Sequence, residues 1–167
     1  MMKYLRSDNN KRLWYGLGCV IVSLATCIIA LLIGIIFFNW AFQEPDNARV
    51  HLQIPASVKQ GETFGLVVLV ESLEIRPLLL NGIEISPDYL AGIRIEESAP
   101  PFIETTERPY SHDQAFSYNL TLEPGEIVAI EFSAVGQEAG TFSGELDVCV
   151  DGMVRCLSYA IQTRVEE

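Results

Sequence analysis

From Leu13 to Gln43 the chain carries no charged residue, a run of 31 positions. Such a run exceeds the ~20 residues that a helix needs to span the hydrocarbon core of a bilayer. A cleaved signal peptide has an apolar core of only about 7–15 residues, followed by a small-residue cleavage site. This run is longer, and its end, FFNWAFQEP, offers Asn39 and Ala41 as a poor cleavage pair. Leu24-Ala25-Thr26-Cys27 has the outline of a lipoprotein site, but the apolar run continues well past it. We therefore expect a retained transmembrane signal-anchor helix over 13–42. A short tail, 1–12, precedes it, and a domain, 43–167, follows.

Lys3, Arg6, Lys11 and Arg12 lie before the run, against one acid, Asp8. Basic residues stay on the cytoplasmic side, which predicts a cytoplasmic N-terminus and an extracytoplasmic domain in the cell membrane. Trp14 and Tyr15 at one end, and Phe37, Phe38, Trp40 and Phe42 at the other, fit the aromatic belts of a membrane interface. Residues 43–167 hold 7 Lys/Arg against 21 Asp/Glu. So acidic a surface disfavours nucleic acid and anionic headgroups.

On a helical wheel, Gly16, Cys19, Ser23, Thr26, Cys27, Ala30 and Gly34 fall in one arc of roughly 100°. Ile, Leu and Val occupy the rest. Small residues at this spacing let a second helix backbone approach closely, which is how helices associate in lipid. The arc predicts a helix-packing face, toward another membrane protein or a second copy of this chain. Cys19 and Cys27, at membrane depth, read as small packing residues.

Beyond the run the apolar period changes from helical to two. VHLQI alternates, and FGLVVLV is apolar on both faces, as a central strand is. LLLNGIEI contains Asn81-Gly82, a strong hairpin signal. SPDYLAG reads as one helical turn, with Ser86 as cap, Pro87 first and Gly92 as stop. IRIEE, FSYNLTL, IVAIEFSA, TFSGELDVCV and a last strand over 154–165 complete about eight strands. Short strands at regular spacing with Gly/Pro turns predict an all-β antiparallel sandwich.

The stretches IPASVKQGETFGLVVLV and LEPGEIVAIEFSAVGQEAGTFSGELDV resemble the immunoglobulin-like domains of prokaryotic surface and exported proteins. The resemblance covers most of residues 48–165. It implies an immunoglobulin-like β-sandwich of about 7–8 strands and carries over no functional residue.

Cys149 and Cys156 flank DGMVR near the C-terminus. A zinc site needs about four ligands, whereas the domain has two cysteines and two histidines. No Cys-x-x-Cys spacing exists, and the expected compartment is oxidising. A two-residue turn at Asp151-Gly152 makes the two cysteines diagonal neighbours, about 7–8 Å apart. A four-residue loop, Asp151 to Val154, sets them directly opposite at a bridging distance. We expect the disulfide, on the outer polar face with Asp147, Ser158 and Gln162.

No catalytic constellation, metal centre or cofactor site is expected. A copper electron carrier would need histidine beside Cys149 and Met153, and none follows them. His51 and His112 read as exposed, and the acidic pairs Glu96/Glu97 and Glu104/Glu107 as solvated surface. The segment 98–113, SAPPFIETTERPYSHD, is long for a loop in a compact domain. Phe102, Ile103 and Tyr110 are its candidate binding anchors. The expected role is binding or scaffolding, as an accessory subunit of a membrane or envelope assembly. The alternative is a stand-alone surface domain for a small ligand or glycan.

Overall fold

The computed structural model describes residues 22–38, 46–152 and 156–167. The chain falls into two units, Met1–Gln43 and Glu44–Glu167. In the first, a helix, α1, runs over 22–38. Among the described residues no helix is long and apolar enough to cross a membrane. The remainder of the expected 13–42 helix lies outside the described residues, as do Gly16 and Cys19. Thr26 donates its hydroxyl proton to the Val22 carbonyl at 2.8 Å, so it is satisfied within α1.

The second unit is a sandwich of two sheets. Its elements are β1 (Ala48–Gln53), β2 (Ser57–Lys59), β3 (Thr63–Ser72), β4 (Leu78–Ile85), α2 (Pro87–Leu90), β5 (Ile93–Ala99), β6 (Glu104–Glu107), β7 (Gln114–Leu122), β8 (Ile127–Gly136), β9 (Gly140–Val150) and β10 (Cys156–Glu166). The smaller sheet has the order β1-β3-β8-β5, the larger β2-β10-β9-β4-β7-β6. All pairs are antiparallel except β2 with β10. The period-two pattern explains the layers. Leu66, Val68 and Val70 of β3, with Ile130, Phe132 and Ala134 of β8, are buried. They share one core with Leu78, Leu80, Ile83 and Ile85 of β4 and Leu146, Val148 and Val150 of β9.

Ten strands are described where about eight were expected. The two additions, β2 and β6, are short and peripheral in their sheet. β6 lies inside the segment 98–113, so that segment is not one continuous loop. Asn81-Gly82 does not form a hairpin. Both residues lie inside β4, where the register shifts between Leu80 and Gly82. A Cβ on Gly82 would sit 2.8 Å from the Phe116 carbonyl oxygen, so glycine serves a close strand approach rather than a turn. Ser86 precedes α2 without a side-chain cap bond. Its hydroxyl instead accepts from the Glu145 N–H at 3.0 Å and ties α2 to β9.

The sandwich has two ends. Asn47, the β3–β4 loop (73–77), the β7–β8 turn (123–126) and Asp151 lie at one, here called the root. The α2 segment, the β6–β7 turn (108–113) and the β8–β9 turn (137–139) lie at the other, the tip.

Candidate functional site

Cys149 and Cys156 are bonded to each other, and they are register partners across β9 and β10. The longer loop therefore prevails over the Asp151-Gly152 turn. Asp151 is held elsewhere: its carboxylate accepts from the Leu79 N–H at 3.1 Å and from Asn47 Nδ2 at 3.3 Å. The Gly152 N–H donates to Asn81 Oδ1 at 2.6 Å.

Around the disulfide, the outer face of the larger sheet carries charges that sequence reading passed over. Glu84 on β4 pairs in register with Asp147 on β9, which pairs with Ser158 on β10. Glu84 is buried. Arg108 donates to Glu84 Oε1 through Nε at 2.8 Å and also through Nη2. Cys149 Sγ lies 3.7 Å from the same oxygen. The bond to Glu84 raises the Arg108 pKa further. Burial pushes the Asp147 carboxyl above its ordinary range, and the Ser158 hydroxyl bond opposes this. Glu84 and the two cysteine sulfurs lie within 4.8 Å of one another, the spacing of metal ligands. The S–S bond consumes both thiolates, and Arg108 holds the carboxylate, so the cluster reads as a latch. The sequence signal for it was a single acid inside the otherwise apolar Gly82–Ile85 stretch of β4.

What the latch holds is the β6–β7 turn at the tip. The Arg108 N–H donates to the Asp113 carbonyl at 2.9 Å, and the His112 N–H to the Arg108 carbonyl at 3.0 Å. His112 Nδ1 lies 2.7 Å from Glu107 Oε1. His112 adopts φ 61°, a left-handed conformation uncommon for a non-glycine residue. The turn therefore presents Tyr110, 97% exposed, on a backbone closed by its own bonds and tied to the sheet. Ile103, 68% exposed, precedes β6. Phe102 differs from these two. It is partly buried, and its ring lies 5.3 Å from that of Phe116, so it closes the core. Beside the turn is a groove of about 520 Å³, walled by Pro87, Leu90 and Ala91 and floored by Thr105, Thr106 and Gln114.

On α1, Cys27, Ala30 and Gly34, with Leu31, Ile35 and Phe38, line an open groove of about 700 Å³. Of the expected packing face, Ser23, Thr26, Cys27, Ala30 and Gly34 lie on this described helix.

No protein-family model matches the sequence, and no curated protein matches it. Solved structures with a similar arrangement include AvmM, which catalyses macrocyclization in alchivemycin A biosynthesis. It is 12% identical, with a TM-score of 0.49 over 75% of this chain and 92% of that one. CaCohA2 from Clostridium acetobutylicum is 12% identical, with a TM-score of 0.45 over 72% and 91%. Salmonella alpha-2-macroglobulin is 17% identical, with a TM-score of 0.45 over 72% of this chain and 7% of that one. At these identities no functional residue is carried over to this chain.

Proposed function

We propose that this chain is a single-pass membrane protein with a cytoplasmic N-terminus. It presents an extracytoplasmic immunoglobulin-like sandwich that binds a partner, as an accessory subunit of a membrane or envelope assembly. The observation that carries the reading is the surface of α1. Its large apolar side chains, from Val22 to Phe38, are each 54–69% exposed, and small residues occupy the remaining arc. A helix apolar all round is at home in lipid or in a protein core. The uncharged sequence continues beyond α1 on both sides, from Leu13 to Gln43.

The immunoglobulin-like reading is supported by strand order. β1-β3-β8-β5 against β10-β9-β4 parallels the ABED and GFC sheets of that fold. The chain path differs in two respects: β2 adds a short parallel strand beside β10, and β6 and β7 intervene between β5 and β8. The groove on α1 supports a helix partner, and the braced Tyr110 supports recognition at the tip, because rigid aromatics lose little freedom on binding.

Protease added to intact cells should digest the sandwich and spare the N-terminal tail. An intact mass lacking the first ~40 residues would instead reveal a cleaved signal. Gentle-detergent isolation of the parent should recover a partner that Ala30→Leu or Ser23→Leu loses and Ile29→Leu keeps. The second reading, a small-ligand or glycan domain, is favoured only by the size of the tip groove. Equal recovery in all variants, together with saturable binding of a small sugar, would favour it.

A further inference from the structure

We propose that the root of the sandwich rests on the bilayer, with Leu73, Ile75 and Ile127 inserted into its headgroup zone. The inference rests on the membrane-anchor reading above. Among the described sandwich residues, five large apolar side chains are exposed, and three of them are at the root. Ile75 is 95% exposed, Ile127 61% and Leu73 44%. They come from two segments that the backbone binds together. The Ser72 N–H donates to the Glu126 carbonyl at 3.0 Å, and the Gly125 N–H to the Ser72 carbonyl at 3.1 Å.

The chain's own path selects lipid as the occupant. The Leu73 N–H donates to the Asn47 carbonyl at 2.9 Å, so the apolar residues lie at the end where the chain enters β1. Only residues 44–47 separate β1 from the uncharged run. A stretch that short spans at most about 17 Å from Gln43 to Ala48. An anchored chain therefore keeps the root within reach of the surface. Arg49 and Arg76 flank the patch with largely exposed side chains, which suits a headgroup layer. Both already face acids: Arg49 lies 2.9 Å from Glu71, and Arg76 3.7 Å from Glu74 and 3.8 Å from Asp151. Glu123 and Glu126 in the neighbouring turn add exposed negative charge, so the surface that fits is zwitterionic rather than anionic.

The test uses the full chain in phosphatidylcholine vesicles, with Trp14→Phe and Trp40→Phe removing its two tryptophans. Ile75→Trp and Ile127→Trp then report from the root, and Glu138→Trp from the tip. Phosphatidylcholine brominated near the top of its acyl chains should roughly halve the emission of both root reporters, since interfacial side chains sit ~5–10 Å deep. The tip reporter should be unaffected. Flotation on a density gradient monitors the anchor separately. A chain that floats while its root reporters emit like solvent-exposed tryptophan overturns this proposal and leaves the anchor standing. Root reporters shielded from acrylamide but not quenched by brominated lipid mean that a protein covers the root, which also overturns it. A chain that does not float removes the anchor reading, and this inference with it.

Discussion

Replacing both bridging cysteines, Cys149→Ser/Cys156→Ser, should lower the stability of the sandwich by an amount that the loop length fixes. The bridge joins residues seven apart. Treated as closure of an eight-residue loop in the unfolded chain, its removal returns entropy worth about 2.5 kcal/mol at room temperature. Two local effects modify this. Cys149 is buried and packs near Glu84, so a serine hydroxyl there can donate to the carboxylate and recover part of the loss. Cys156 is only partly buried, and its replacement leaves little cavity. A unit of about 120 residues unfolds with an entropy near 0.25 kcal/mol per kelvin, so the melting temperature should fall by about 10 °C. Thermal unfolding of the full chain in mild detergent, followed by the β-sheet circular dichroism signal, measures it. A fall of the same size in the parent after reduction would confirm that the bond itself is responsible. A melting temperature unchanged in both experiments would refute loop closure as its contribution. Alkylation of both thiols in unreduced protein would refute the bond.

Arg108→Met should cost about 2–3 kcal/mol in chemical unfolding. It strands Glu84, whose side chain is 11% exposed, and the figure stays below the usual ~3–5 because Arg108 itself keeps 28% exposure. Asp147→Asn should stabilise the domain at neutral pH. The folded pKa of Asp147 is raised above its ordinary 3.8, so the stability it contributes is fully present below 3.8 and is lost as pH rises through the folded pKa. The gain from the neutral amide should vanish in unfolding curves recorded below pH 3.8. Gly82→Ala should cost about 1–3 kcal/mol, because its Cβ meets a backbone carbonyl that cannot swing aside. A crystal structure of the variant should show β4 and β7 pushed apart.

The strands whose two faces differ in polarity were legible, because burial writes a period-two pattern into the sequence. Leu146 and Val148 of β9 are an example: they pair in register with Tyr159 and Leu157 of β10. Features that depend on what crosses a strand were not legible. Asn81-Gly82 has the composition of a turn, yet Leu78, Leu80, Ile83 and Ile85 on either side all enter the core and carry the strand through. The reason for Gly82 is the Phe116 carbonyl, more than thirty residues away, and no local window contains it. β6 was missed for a different reason. Glu-Thr-Thr-Glu is exposed on both faces, so burial imposes no alternation on it. The Arg108–Glu84 pair joins residues that only the β4–β7–β6 order brings together.

That order also explains why recognition would fall to the ends of this fold. The inner faces are filled by one core, in which Leu66, Leu80, Ile83, Phe132, Leu146 and Val148 are fully buried. The outer face of the larger sheet uses its charges on itself, Arg108 with Glu84 and Asp147 with Ser158. Among the described residues, the most exposed large apolar side chains of the sandwich are Tyr110 at the tip and Ile75 at the root. Between those ends runs β3, whose ten residues span roughly 33 Å. A bilayer at Ile75 and a partner at Tyr110 would therefore be separated by the full length of the strands. The two contacts would not compete, and weakening one should leave the other intact. If Ile75→Asp abolished partner binding at Tyr110 in detergent, where no bilayer is present, the two ends would have to be coupled through the core, and this separation of roles would be wrong.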